Sequence, residues 1–155
     1  MALEIEHKYL VDHKLWNSVI ADRQIKIIQG YLLTEPSKTV RVRIAGEQGF
    51  MTIKGKTEVS SRLEFEYEIP REEAEQLLHL FCTNLIEKTR HIIQYEKKTW
   101  EVDVFEGANS GLIIAEIELE SEDEAYLKPV WATQNITLDQ RYFNSSLSKI
   151  PYSLW

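Results

Sequence analysis

Alternation with a period of two runs through most of this chain, and along its polar side the charges are sorted by sign. In "VRVRI", Arg41 and Arg43 share one face while Val40, Val42 and Ile44 share the other. "TIKGK" aligns Lys54 with Lys56, and "EKTRH" aligns Lys88 with Arg90. Carboxylates line up in the same way: Glu64, Glu66 and Glu68 behind Arg62 in "RLEFEYEI", Glu101 with Asp103 in "WEVDVF", and Glu116, Glu118 and Glu120 in "AEIELE". Near the start, "LEIEHKYLV" sets Glu4, Glu6 and Lys8 on one row. Such alternation specifies half-buried strands. Like charges close together repel, so rows of one sign are costly on an ordinary wet sheet face.

The alternating runs predict strands over 3–11, 25–34, 38–45, 49–55, 61–69, 85–95, 98–106 and 112–120. Helices are expected from Asp12 through "DHKLWNSVIADR", from Pro70 through "PREEAEQLLHLFC", from Ser121 through "SEDEAYLK", and near 144–149. The fold class is α+β: an eight-stranded antiparallel β-barrel, or tunnel, with a few flanking helices. The 155 residues suit a single domain over 1–155.

Bulk properties narrow the function. A net charge of −7 argues against a nucleic-acid partner. The apolar runs are too short to span a membrane. One cysteine, Cys82, allows no internal disulfide, and no hydrophobic leader precedes Glu4. A soluble, cytoplasmic protein is the expectation. No histidine spacing for zinc, Ser-His-Asp set or Gly-rich phosphate loop stands out.

A closed sheet reconciles the sorted rows. Eight strands enclose room for one small ligand. Carboxylate oxygens suit Mg²⁺ or Mn²⁺, and Arg and Lys rows suit phosphate. A metal-bound polyphosphate satisfies both at once. The apolar rows then face outward, and those the helices leave uncovered are candidates for a homodimer surface.

These pieces, in order, resemble the CYTH, or triphosphate tunnel metalloenzyme, superfamily. The resemblance begins with Glu4-x-Glu6-x-Lys8 and continues through "QGYL", "RVRI", "TIKGK", "RLEFEYEI", "EKTRH", "WEVDVF", "AEIELE" and "DQRY". It implies a tunnel that binds a small-molecule triphosphate with metal ions, taken here as two. Short members are similar to inorganic triphosphatases, which split tripolyphosphate into pyrophosphate and phosphate. Little chain is left over for an adenine or thiazolium pocket. Nucleoside or thiamine triphosphatases, class IV adenylyl cyclases and a non-catalytic polyphosphate-binding module are the alternatives.

Roles follow from the resemblance. Glu4, Glu6, Glu116 and Glu118 are expected metal ligands, with Glu64 and Asp103 on a second ion. Lys8, Arg41, Arg43, Lys54, Arg90 and Arg141 are expected to hold phosphate. Gln140 departs from the basic residue common before Arg141 in the family. Lys56 ends a strand, where a surface position competes with phosphate binding. Arg62 binds phosphate or neutralises Glu64. Lys88 and Tyr31 are the catalytic candidates: together they position or deprotonate the attacking water, or else Lys88 holds phosphate and Tyr31 packs.

Overall fold

A computed structural model describes residues 3–155. Strand β1 (Leu3–Val11) leads through one helical turn, α1 (His13–Trp16), into the long β2 (Arg23–Glu35). Then come β3 (Lys38–Ala45), β4 (Gln48–Gly55), β5 (Ser61–Ile69) and helix α2 (Arg71–Phe81). Strands β6 (Ile86–Tyr95), β7 (Lys98–Phe105) and β8 (Ile113–Glu118) follow, and the chain ends with β9 (Ala132–Asn135) and α3 (Asn144–Leu147).

The sheet runs β5-β4-β3-β2-β6-β7-β8-β1, and β1 pairs back onto β5. All these pairs are antiparallel, so eight strands close into a barrel. β1 makes closure possible by dividing one edge. Leu3–Ile5 pair with Leu63–Ser61 of β5, whereas Tyr9 and Val11 pair with Asn135 and Ala132 of β9.

The charged rows point inward and the apolar rows outward. Outside, Ile5, Val102, Ala115 and Ile117 pack with Trp100 under Trp131, Trp16 and Tyr126. Helix α2 covers Val42 and Ile44 with Ala74 and Leu78. The barrel is not polar throughout: Ile86, Phe105 and Ile114 form an apolar floor, sealed by Ile136, Tyr142 and Leu147. On the outer face of β4, β5 and the start of β1, Leu3, Ile53, Leu63, Phe65 and Tyr67 stay at least 40% exposed.

Three elements differ from expectation. The first helix is a single turn, because Asp22 already bonds Ile92 through its amide and β2 starts at Arg23. The segment from Ser121 to Pro129 is not helical. Tyr126 is drawn down among Trp100, His7 and Tyr9, and Glu124 accepts the Glu120 amide at 2.7 Å. Strand β9 is absent from the expected strands; "ATQN" is too short to show a period. Cys82 sits just past α2 rather than within it, against Gly30 of β2. A Cβ on Gly30 would come within 2.7 Å of Cys82 Cβ, so the strand must be bare there. Among the described helices, none is long and apolar enough to cross a membrane.

Candidate active site

The inward rows surround a cavity of about 190 Å³ with a lining that is almost wholly polar. β1 supplies Glu4, Glu6 and Lys8; β3 supplies Thr39, Arg41 and Arg43; β5 supplies Arg62, Glu64 and Glu66. Tyr31, Lys54 and Glu101 come from β2, β4 and β7. Lys88 and Arg90 come from β6, Glu116 and Glu118 from β8, and Asn144 and Ser145 from α3. Register brings like beside like: Glu6 lies opposite Glu118 and Glu101 opposite Glu116, whereas Lys8 faces Glu116.

Opposite charges meet across the cavity. Lys54 Nζ is 3.0 Å from Glu4 Oε1 and 3.4 Å from Glu64 Oε2. Lys8 Nζ lies 3.5 Å from Glu6 and 3.7 Å from Glu116. Arg90 clasps Asp103 through Nε and Nη2, at 2.8 and 2.9 Å, and reaches Glu101 through Nη1 at 3.0 Å. Lys88 Nζ lies 2.7 Å from Asp103 and donates to Asn144 Oδ1 at 2.9 Å. Arg41 donates to Thr52, which in turn donates to Glu66. Two buried atoms of these side chains make no hydrogen bond among the described residues: Arg41 Nε, and Glu64 Oε2, which has only the Lys54 ion pair.

The model of the CYTH domain family matches residues 2–154. The chain belongs to the CYTH family. It is 44% identical over 153 residues to an inorganic triphosphatase of Acetivibrio thermocellus, covering 98% of this chain and 97% of that protein. It is 34% identical over 152 residues to an inorganic triphosphatase of Nitrosomonas europaea, covering 94% and 96%. A solved structure described as an inorganic triphosphatase superimposes with a TM-score of 0.66 at 33% identity, covering 96% of this chain and 95% of that one.

In this CYTH domain the electrostatics separate two carboxylate populations. Burial raises the pKa of Glu4, with a hydrogen bond to Glu64 adding to it. Burial and the neighbouring Glu116 raise Glu6; burial, with Glu4, Glu101 and Glu6, raises Glu118. Glu116 goes the other way. Its burial is outweighed by Lys8 and Arg90, and it falls to about 2. Asp103, overcoming still deeper burial, is held well below the carboxylate range by Arg90 and Lys88. Among the bases, burial pushes Lys88 down to about 7 against the pull of Asp103, with Arg90 and Arg43 adding to the fall. Burial, with Arg41 and Arg90 nearby, also lowers Arg43.

The carboxylate chemistry suits a hard divalent cation, although among the described residues no three carboxylates are gathered closely enough to form a ready-made metal site. Several carboxylates are crowded, disfavoured as anions and facing one another, and Glu64 Oε2 has only the ion pair with Lys54 at 3.4 Å. The Arg and Lys side chains lining the same cavity suit anionic oxygens.

Most expected site residues converge on this cavity, and three do not. Asp103 lies on the inward row but is 1% exposed, and both its oxygens are taken by Arg90 and Lys88; it has no open face for a metal. Arg141 stands outside on a 3-10 turn, paired with Asp139 at 2.7 Å and lying over Trp155. Lys56 is exposed in an adjoining cleft with Lys149. Arg62 serves both spaces, lining the main cavity and that cleft. The sequence reading missed Asn144, Ser145, Thr39 and Gln29. Asn144 and Ser145 belong to an irregular tail with no periodic row to mark them, Thr39 is the uncharged member of the Arg41–Arg43 row, and Gln29 lies on a row with no charge near it.

Proposed function

We propose that this chain hydrolyses inorganic triphosphate to pyrophosphate and phosphate in its charged tunnel, with Mg²⁺ or Mn²⁺ as cofactor. The supporting observation is the confined meeting of both kinds of row around one polar cavity lined by Glu4, Glu6, Lys8, Arg41, Arg43 and Lys54 among others. The two inorganic triphosphatases it resembles along nearly their whole length favour the same reading.

Glu4, Glu6, Glu64, Glu116 and Glu118 would hold two metal ions, and Glu101 takes the place expected of Asp103. Bound metal would neutralise phosphate oxygens and polarise the phosphorus. Lys8, Arg41, Arg43, Lys54, Arg62 and Arg90 grip the chain of phosphates and stabilise charge growing on the pyrophosphate. Water attacks the terminal phosphorus; a P–O bond forms to it while the bridging P–O bond breaks. Lys88 accepts the water's proton and Tyr31 orients the water. With Lys88 as a neutral amine, its two N–H bonds are committed to Asp103 and Asn144, which leaves its lone pair free for that proton.

We assign the activity to the cytoplasm, and the uncovered row of Leu3, Ile53, Leu63, Phe65 and Tyr67 supports a homodimer. Sedimentation giving a monomer mass at high protein concentration would remove the dimer. The test of function is phosphate release from tripolyphosphate, ATP, GTP and thiamine triphosphate, with and without EDTA. Tripolyphosphate should be preferred and EDTA should abolish turnover. A clear preference for ATP with a cyclic product, or binding without turnover, would replace this reading.

A further inference from the structure

In and behind the cavity wall runs a chain of four side chains with a forced direction. Arg43 Nε donates to Gln29 Oε1 at 2.8 Å, Gln29 Nε2 donates to Asn144 Oδ1 at 2.9 Å, and Lys88 Nζ donates to the same Oδ1 at 2.9 Å. Arg43 can only donate, so Gln29 must turn its oxygen toward it and its NH₂ toward Asn144. Asn144 must then accept, and its oxygen receives Gln29 and Lys88 together. Both carboxamide orientations are therefore set by the network.

Two consequences follow for Asn144. Its oxygen and the Asp103 carboxylate fix two of the Nζ hydrogens of a lysine that is 1% exposed. Its own NH₂ finds no acceptor among the described residues, is not sealed off, and belongs to a side chain that lines the cavity. Asn144 also comes from α3, outside the barrel, so the C-terminal segment completes the interior.

We propose that Asn144 is a positioning residue for Lys88 through its oxygen and a contact for a substrate phosphate oxygen through its NH₂. This deepens the triphosphatase reading and rests on it for the identity of the substrate. A neutral donor here grips an anionic oxygen without adding a further cation beside Lys88, Arg43 and Arg90. Orientation of Lys88 matters because a base must present its free valence to the water within hydrogen-bond reach. The charged groups around Lys88 are Asp103 from β7, Arg90 from β6, Arg43 from β3 and Glu116 from β8.

The test uses Asn144→Ala and Asn144→Ser in the full chain. Serine keeps a small polar side chain at the first residue of α3 and guards against a folding defect in the alanine variant. Three quantities are read: the dissociation constant for tripolyphosphate in EDTA by calorimetry, kcat with Mg²⁺, and the ¹⁵N chemical shift of Lys88 Nζ. Expected for Asn144→Ala are about tenfold weaker binding and a kcat at least about tenfold lower. The Lys88 resonance should move, and the unliganded Tm should stay within a few degrees of wild type. An unmoved Lys88 resonance with binding within twofold of wild type in both variants overturns the proposal. If wild type proves inactive on tripolyphosphate, the function falls. The Lys88 resonance still decides the positioning role, and binding of the triphosphate that wild type does turn over decides the contact.

Discussion

Lys88 and Asp103 meet at 2.7 Å from adjacent strands, each 1% exposed, at the edge of the polar cavity. Asp103 is also clasped by Arg90, so it stays ionised, while Lys88 is held down to about 7 by burial and by Arg90 and Arg43. With the neutral amine as base, kcat/KM should rise with pH through about 7 and then level off. Lys88→Met should cut kcat by about a hundredfold and flatten that limb. The stability sign is separate. The folded value lies below the ordinary 10.5, so the folded state binds fewer protons between about 7 and 10.5, and this group's contribution to stability increases as pH rises through that window. A pH–rate profile of both proteins is the measurement; an identical limb in the variant excludes Lys88 as its source.

The crowded carboxylates predict a trade between stability and activity. Glu6 has a raised pKa from burial and Glu116, so ionising it costs stability as pH climbs through the folded value. Glu6→Gln should raise the metal-free Tm at pH 7 by a few degrees and shrink the further rise that Mg²⁺ gives. Glu4→Gln and Glu118→Gln should each lose most turnover with the fold intact. Thermal unfolding with and without MgCl₂, beside phosphate release, checks this. Wild-type turnover in both of the latter variants would remove the metal assignment.

Arg43 spends Nε on Gln29, and its side chain lines the cavity. Arg43→Ala should weaken tripolyphosphate binding by about ten- to a hundredfold, the range for losing hydrogen bonds to a charged group. Arg141→Ala, on the outside, should leave that affinity within about twofold, since exposed pairs such as Arg141–Asp139 contribute little. Calorimetry on both variants separates the tunnel from the surface.

The β6–β7 hairpin turns on Glu96 and Lys97, with φ of 47° and 64°. Left-handed backbone at two ordinary residues is strained, and Asn-Gly suits such a turn. Glu96→Asn with Lys97→Gly should stabilise the protein by about 1 kcal/mol, roughly 2–4 °C in Tm, without altering kcat. A fall in Tm would show that the Glu96 and Lys97 side chains supply more than the strain costs.

Much of this was legible in the chain because the barrel's pleat is the alternation itself. Glu4, Arg41, Lys54, Glu64, Arg90 and Glu116 announced the interior through row and sign, and closure followed from the need to neutralise them. Position along a row was less legible. Asp103 shares its row with Glu101, yet its neighbours Lys88 and Arg90 consume it, and nothing local marks that one member of the pair is buried more deeply. Arg141 and Asn144 lie three residues apart in the irregular tail. Periodicity could not show that the charged one turns outward to Asp139 while the neutral one turns in. The segment around Glu124 looked helical by composition, and a long-range demand, the seat of Tyr126 among the aromatics, overrode it.

The ion pairs inside the barrel have a consequence for how tightly a guest can be kept. Lys54 already rests on Glu4, Lys8 between Glu6 and Glu116, and Arg90 on Glu101. Loading of the proposed substrate would thus be an exchange of partners, in which each clamp gives up a resident anion to gain an arriving one. On the proposed reading the net gain per clamp is therefore less than the number of contacts suggests. Shorter fragments of a cut phosphate chain would hold fewer clamps, and closure of the resident pairs would help to expel them.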